Sequence, residues 1–188
     1  MGFVLHRDYD VQDLEDRLKY FDLKDVDKMV EQAIRYVHFF VPFWDEYGVY
    51  YTYETSNRDS VAAFLVESLL EYGFPVILLR LNVLDDMFGQ KKERFHSGVF
   101  SGAKLKKMAK FTIHTSVYHE LCHAIVALDD SYEFIEDENM LEFSDEEEYC
   151  ERFAIDFFNG QNVPEDMKEF YKMYNRHRKK GRLNVYAN

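Results

Sequence analysis

The sequence predicts an α+β protein that is mostly helical, with a small mixed sheet of about three strands packed on one central helix. Apolar residues recur at helical spacing over several long segments, whereas two short runs are rich in the residues that favour strands. The 188 residues, 47% of them hydrophobic, fit one domain with a sizeable core. We expect residues 1–110 to form helices and the sheet, and residues 111–188 to form three further helices.

The helices are predicted from apolar periodicity and from residues that start or stop a helix. The clearest one begins at Asp22 or Lys24, and from Val26 onward apolar residues recur at i, i+3, i+4, i+7, i+8 and i+11. Pro42 should end it, because proline lacks the amide hydrogen that a helix interior needs. The other predicted helices cover residues 11–20, 56–72, 104–128, 144–158 and 164–180.

Three strands are predicted between these helices. Residues 48–53 are rich in tyrosine and other strand-forming residues, and residues 74–83 form a run of Val, Ile and Leu that is typical of a mostly buried strand. Residues 96–102 could add a short third strand at an edge of the sheet. Residues 129–143 have the least regular pattern, so a loop is expected there.

Charge and cysteine content exclude several classes of protein. The net charge of −12 disfavours general nucleic-acid binding, and no apolar run reaches the ~18 residues that a membrane-spanning helix needs. Basic residues concentrate in residues 91–110 and 168–182, which we interpret as solvated helix faces; docking of an acidic partner on the second is the alternative. The two cysteines, Cys122 and Cys150, make no disulfide framework, so a reducing cytoplasm is the expected location.

The segment His119-Glu120-Leu-Cys-His123 is an HExxH motif inside an apolar helical stretch. On a helix, His119 and His123 lie on one face about one turn apart, where two imidazoles can bind one zinc ion. Glu120 is adjacent to the first of them and can take a proton from a metal-bound water. The neighbouring positions are uncharged, so these polar residues interrupt a buried face and need a partner or a metal.

A catalytic zinc ion takes three protein ligands and leaves one position open, so a third ligand must come from elsewhere. On a helical wheel, Glu146 and Glu147 flank the apolar stripe of the next predicted helix. Glu147 could instead cap that helix together with Ser144, and Glu146 would then be the ligand. Asp129 has the spacing of the HExxHxxGxxH/D pattern, but Val126 occupies the position where that pattern needs a glycine.

A second carboxylate on the same predicted helix lies near the proposed ligand. Glu151 follows Glu147 by one helical turn and shares its side of the helix. One of the two could bind the metal while the other orients a ligand histidine through its second ring nitrogen. Cys122 and Cys150 flank the same region and are expected to be small core residues.

Two sequence patterns resemble those of the ImmA/IrrE-type metallopeptidases. Residues 119–124 read HELCHA, and residues 147–154 read E-x-x-C-E-x-F-A, whereas the family pattern is roughly HELGHA followed by E-x-x-A-N-x-F-A. The cysteine at 122 and the Cys-Glu pair at 150–151 are therefore departures. The resemblance covers about residues 116–158, and nothing in the first hundred residues identifies a family.

The resemblance implies both a fold and a function. It implies a zincin-like domain in which His119, His123 and Glu147 bind zinc. Glu120 would then be the general base of a cytoplasmic peptidase that cuts a protein partner such as a repressor or an antitoxin. The chain shows no helix-turn-helix of its own, so a DNA-binding partner would be a separate protein. The alternative is a zinc-binding interaction module without proteolytic turnover, and the sequence leaves the oligomeric state open.

Peptide hydrolysis also needs a hydrogen-bond donor for the oxyanion. The candidates are Tyr118, Tyr132, His96 and His114. Spacing does not choose among them. His114 lies five residues before His119, roughly 140° around the helix, so we expect it to face the core or the solvent instead of the site. In zincins the peptide substrate commonly pairs with an edge strand beside the active-site helix, and residues 97–102 could be that strand.

Overall fold

The computed structural model describes residues 2–10, 12–53, 60–94, 102–130 and 146–160. Six helices and four strands lie within these ranges, so the predicted α+β class is confirmed. In chain order the elements are β1 (Val4–Tyr9), α1 (Leu14–Arg17), α2 (Leu23–Phe40), β2 (Glu46–Thr52), β3 (Ala62–Leu65), α3 (Glu67–Tyr72), β4 (Val76–Arg80), α4 (Leu81–Arg94), α5 (Gly102–Asp130) and α6 (Glu146–Phe158).

The strands form one mixed sheet in the order β1-β2-β4-β3. β1, β2 and β4 run parallel, whereas β3 pairs antiparallel with β4 and forms one edge. The prediction of about three strands missed β1. Its residues are mostly exposed and include Arg7 and Asp8, so no alternating buried face marks this strand in the sequence.

Helix α2 agrees with its prediction at both ends. The Asp22 side chain accepts a hydrogen bond from the Lys24 amide and so caps the helix, and α2 ends at Phe40, two residues before Pro42. The side chains at the predicted apolar spacing face the core. Those fully buried on this face are Val26, Val30, Ala33, Ile34 and Val37.

The helix predicted over residues 56–72 is wrong in its first part. Ala62–Leu65 form β3, and only Glu67–Tyr72 are helical, while residues 54–59 lie outside the described residues. Four apolar residues suit a strand or a helix equally well, and pairing with β4 decides for the strand. Gly73 ends α3 as predicted, with a φ of 75° in the left-handed region that favours glycine.

Other boundaries also differ from the predictions. The strand predicted over residues 74–83 is shorter, because the apolar run turns into α4, an unpredicted helix, directly after Arg80. The helix predicted over residues 11–20 reduces to the four residues of α1. The predicted strand at 96–102 falls outside the described residues except for Gly102, which begins α5, and the predicted helix at 164–180 falls outside them entirely.

Helix α5 forms the centre of the fold. It packs against α2 and α6 and against β3, so the predicted packing of the sheet on this helix is confirmed. Ile113, Val117, Leu121 and Ile125 form a fully buried stripe along it. The C-terminal end of α5 runs to Asp130, past the expected start of the loop. Among the described helices, none carries an apolar stretch of the length that a bilayer crossing needs.

Candidate metal centre and adjoining cleft

The two histidines of the HExxH motif face each other on one side of α5. Their Nε2 atoms are 3.0 Å apart and their ring centroids 4.7 Å apart. Both side chains are partly buried, at 23% exposure for His119 and 17% for His123. The structure thus brings the rings together as the i, i+4 spacing predicts, at the surface of the helix that α6 covers.

Glu147, in the first turn of α6, completes a group of three donors. One carboxylate oxygen lies 3.1 Å from His119 Nε2, and the other lies 3.3 Å from His123 Nε2. Ligand atoms from the three residues all lie within 4.8 Å of one another, so this group could hold a metal ion. Glu147 is 69% exposed, and the group is therefore open to solvent on one side.

The other two candidates for a third ligand are judged by the backbone position of Asp129 and by the side-chain contact of Glu146. Asp129 belongs to α5, which continues as a helix through Val126 without the turn that the HExxHxxGxxH/D pattern needs. Six helical residues place Asp129 about 120° around the axis from His123 and ~9 Å further along it. Glu146 approaches His123 on the opposite side of the ring, where its Oε1 lies 2.5 Å from Nδ1.

The contact of Glu146 with Nδ1 sets the orientation of the His123 ring. A histidine that presents one nitrogen to a metal usually donates through its other nitrogen to a carboxylate, which fixes the tautomer. The sequence suggested Glu151 as a possible partner of this kind, but the structure places Glu146 there. Adjacent residues of α6 therefore reach the two nitrogens of one ring, because they project about 100° apart around the helix.

The two cysteines lie behind the histidines in the core between α5 and α6. Both are fully buried, as predicted. Hydrogen bonds with Cys150 and Glu146 raise the pKa of His123, while burial lowers it. Cys122 and His123 in turn lower the pKa of the Cys150 thiol, against burial. Donor atoms of His123, Glu146 and Cys150 form a second group within 4.8 Å, so two potential donor groups share one imidazole.

Glu120 stays outside the three-donor group and lines the cleft beside it. It is partly buried, and its Oε2 accepts a hydrogen bond of 2.8 Å from the backbone amide of Phe64 in β3. Burial raises the pKa of Glu120, and the neighbouring His119 and His123 lower it to a smaller extent. A carboxylate with a raised pKa next to a candidate metal group is suited to take up and release a proton.

A cleft of about 300 Å³ opens in front of His119 and Glu120. Its walls come from β3 and the residues just before it, from the N-terminal side of the motif on α5, and from α6. Thr115 and Ser116 contribute hydroxyl groups, and Glu151 contributes a carboxylate. Neither the contribution of β3 nor the hydroxyl pair was found from the sequence. Glu120 contacts the backbone amide of Phe64, and almost every residue type has such an amide, so the sequence does not reveal this contact.

The described oxyanion candidates lie away from this cleft. His114 and Tyr118 pair with each other, with 3.2 Å between Nδ1 and the hydroxyl oxygen, and both are buried among aromatic rings that include Phe157 and Phe158. Burial, with a smaller contribution from the charge of Lys110, lowers the pKa of His114 to about 4. Two further candidates, Tyr132 and His96, and the predicted substrate strand at 97–102 lie outside the described residues, apart from Gly102 in α5.

Comparison with known proteins returned no family model, no curated protein and no solved structure that matches this chain.

Proposed function

We propose that the protein is a zinc-dependent metallopeptidase. The observation that carries this proposal is the convergence of His119, His123 and Glu147 on one point, with Glu120 beside them and free of that group. The residue that would act as base and the residues that would hold the ion thus occupy separate positions around one cleft. That division of roles is what hydrolysis by a metal-bound water requires.

The donor atoms fit zinc in both chemistry and spacing. Two imidazole nitrogens and one carboxylate are a common ligand set of catalytic zinc sites. Zinc bonds of about 2.0–2.1 Å in a tetrahedron place neighbouring ligand atoms ~3.3 Å apart. The two Nε2 atoms are 3.0 Å apart, and one oxygen of Glu147 lies 3.1 Å from His119 Nε2 while the other oxygen lies 3.3 Å from His123 Nε2. One ligand atom from each of the three residues lies within 4.8 Å of the other two. The exposure of Glu147 leaves room for a fourth ligand from solvent.

The residues at the cleft and next to it have separate roles in the proposed hydrolysis. Bound zinc would lower the pKa of a coordinated water to about 7 and polarise the scissile carbonyl. Glu120 then accepts the proton of the attacking water and passes it to the leaving nitrogen, for which a raised pKa is favourable. The Phe64 amide holds the Glu120 carboxylate in place through Oε2. The Glu146 carboxylate holds the ring of His123.

The outer edge of β3 offers a place for an extended peptide. The Phe64 amide points away from β4, since it donates to Glu120, and backbone groups alternate in direction along a strand. The outward groups of Ala62 and Phe64 therefore face away from β4, and Ala62 lines the cleft. Two of these groups are already engaged within the protein: the Phe64 amide donates to Glu120, and the Ala62 carbonyl accepts from the Arg80 guanidinium. A substrate that adds to this edge as a further strand would place its backbone next to Glu120. We propose β3 for the role expected of residues 97–102.

The resemblance to the ImmA/IrrE-type metallopeptidases supports a specific protein partner, such as a regulator, as the substrate. It rests on the HExxH residues and on the spacing to Glu147, which the structure places next to the two histidines. The departures from the family pattern lie at the helix contact and the cleft. Cys122 and Cys150 fill the space between α5 and α6, and Glu151 faces the cleft.

The test is a comparison of the Glu120→Gln variant with wild-type protein, both loaded with one equivalent of zinc. Quenched-fluorescence peptide mixtures report cleavage, and elemental analysis reports bound metal. We expect Glu120→Gln to keep its zinc and to lose about 10²–10⁴-fold of the rate. Glu148→Gln, an exposed change on α6 outside the cleft, is the matched control and should behave as wild type. Equal cleavage by Glu120→Gln would contradict the proposal.

The second candidate function is a zinc-binding interaction module without turnover. The second donor group favours it, because Glu146 and Cys150 lie next to His123 and could close the coordination of a metal. Structural zinc sites use four protein ligands, often including cysteine, and leave no open position. Stoichiometric zinc, with no cleavage of any peptide and with loss of zinc in a Cys150→Ala variant, would favour this function over hydrolysis.

A further inference from the structure

Glu151 is a charged side chain of the cleft to which the proposed hydrolysis assigns no role. It lies one helical turn after Glu147 and lines the cleft together with His119 and Glu120. Among the described residues it forms no ion pair and no hydrogen bond with either histidine. Apart from His119 and Glu120, it is the one ionisable side chain among the described lining residues. Its carboxylate is thus available to a molecule that enters the cleft.

Apolar side chains surround this carboxylate. Phe111 of α5 and Ile155 of α6 both line the cleft and are 44% and 39% exposed, so they present apolar surface to a molecule that enters it. Val61 and Ala154 extend the apolar wall. A volume of about 300 Å³ is at the small end of ligand pockets and suits a single large side chain. The cleft therefore combines an apolar wall with one negative charge.

Lysine and arginine side chains match this combination. Each has an apolar stem that packs on hydrophobic surface and a cationic end that seeks a carboxylate. The ring of Phe111 adds a face on which a cation can rest. The net charge of −12 attracts basic segments over longer distances. An acidic side chain in the same place would meet repulsion from Glu151 and Glu120.

We propose that Glu151 is a specificity-determining residue that selects a lysine or arginine side chain next to the scissile bond of the substrate. This inference rests on the proposed peptidase function and adds a substrate class to it. Because Glu151 is exposed, its ion pair is partly screened, and roughly twofold to fivefold discrimination is expected from it. The apolar wall adds no preference for charge, so a neutral side chain of similar shape is the right reference.

The test uses quenched-fluorescence peptides that differ at one position flanking the cleaved bond and carry lysine, norleucine or glutamate there. Wild-type enzyme should show a higher kcat/KM for lysine than for norleucine, with glutamate lowest. In Glu151→Gln the ratio of lysine to norleucine should fall to about one. In Glu151→Lys the order of lysine and glutamate should invert. Glu148→Gln, on the same helix and outside the cleft, should keep the wild-type ratio.

Two outcomes separate this proposal from the function on which it rests. If the wild type cleaves peptides and Glu151→Gln keeps the same lysine preference, the role of Glu151 is refuted and the peptidase stands. If no peptide is cleaved, binding to Glu120→Gln, measured by fluorescence anisotropy, decides. Tighter binding of the lysine peptide that disappears in the Glu120→Gln, Glu151→Gln double variant supports the subsite, and equal binding of all three peptides overturns it.

Discussion

Helix α5 carries two residue pairs at the same i, i+4 spacing that have opposite surroundings. His119 and His123 are partly exposed and meet carboxylates, whereas His114 and Tyr118 are buried and meet aromatic rings. Both pairs pack against the same partner helix, α6. The comparison shows that spacing on one helix brings two side chains together, while the neighbouring helix decides whether the pair meets carboxylates or aromatic rings.

The difference originates in the composition of α6. Its first turn is Glu146-Glu147-Glu148, and its last turn contains Phe157 and Phe158. Acidic residues at a helix N-terminus are favourable for the helix itself, because they oppose the positive end of its dipole. The same residues give α5 an acidic neighbour at His119 and His123. At the other end, His114 Nε2 is buried without a hydrogen-bond partner among the described residues.

The largest expected effect comes from removing one member of the pair His119 and His123. His123→Ala removes one of three donors, so we expect zinc affinity to fall by more than the ~100-fold that loss of a supporting contact causes. Cleavage should fall to background. His114→Leu removes a histidine from the same helix and should retain stoichiometric zinc. Titration with zinc, monitored by elemental analysis after desalting, distinguishes the two. Loss of zinc in both variants would contradict the division between the pairs.

The next largest effect distinguishes the roles of Glu146 and Glu147, the two acidic residues that contact His123. Glu147→Gln should weaken zinc binding most, because it removes a donor that faces both Nε2 atoms. Glu146→Gln should weaken it by about 10–100-fold, as expected for a group that orients a ligand through its second nitrogen. Competition with a chromophoric chelator measures both affinities. The reverse order of the two losses would assign Glu146 as the ligand.

The sequence predicted those parts of the fold that are encoded locally. α2 has an amphipathic pattern, an expected start at Asp22 or Lys24 and a terminating Pro42, and the structure agrees with all three. The strands depend on partners distant in the chain, and β1 shows no buried face of its own. The run through Arg80 and Leu81 changes from strand to helix without a Gly or Pro to mark the boundary. Here tertiary packing, and not local preference, sets the structure.

The candidate site likewise has a part that is encoded locally and a part that depends on packing. His119, Glu120 and His123 follow from a motif within one helix, so their arrangement could be predicted in full. Glu146 and Glu147 are adjacent, and both can reach α5, so only the packing of the two helices shows which nitrogen each one meets. The role of β3 involves the backbone of Phe64 and could not be read from residue types.

The smallest expected effect concerns the buried pair, His114 and Tyr118. Burial lowers the pKa of His114 to about 4, whereas an unfolded chain has a histidine pKa near 6.5. Between these two values the unfolded chain binds a proton that the folded protein does not. The contribution of His114 to stability is therefore fully present above pH 6.5 and is lost as the pH falls towards 4. Partial solvent screening reduces the effect to the order of 1 kcal/mol.

The matched comparison is wild type against His114→Leu, unfolded by urea at several pH values from 7 to 4 with a chelator present. All other ionisable groups are the same in both proteins, so the difference between the two unfolding free energies isolates His114. We expect the wild type to lose stability relative to His114→Leu as the pH falls through this window. A constant difference would mean that the His114 imidazole keeps an ordinary pKa. Water would then reach His114 more readily than the burial of His114 and Tyr118 indicates.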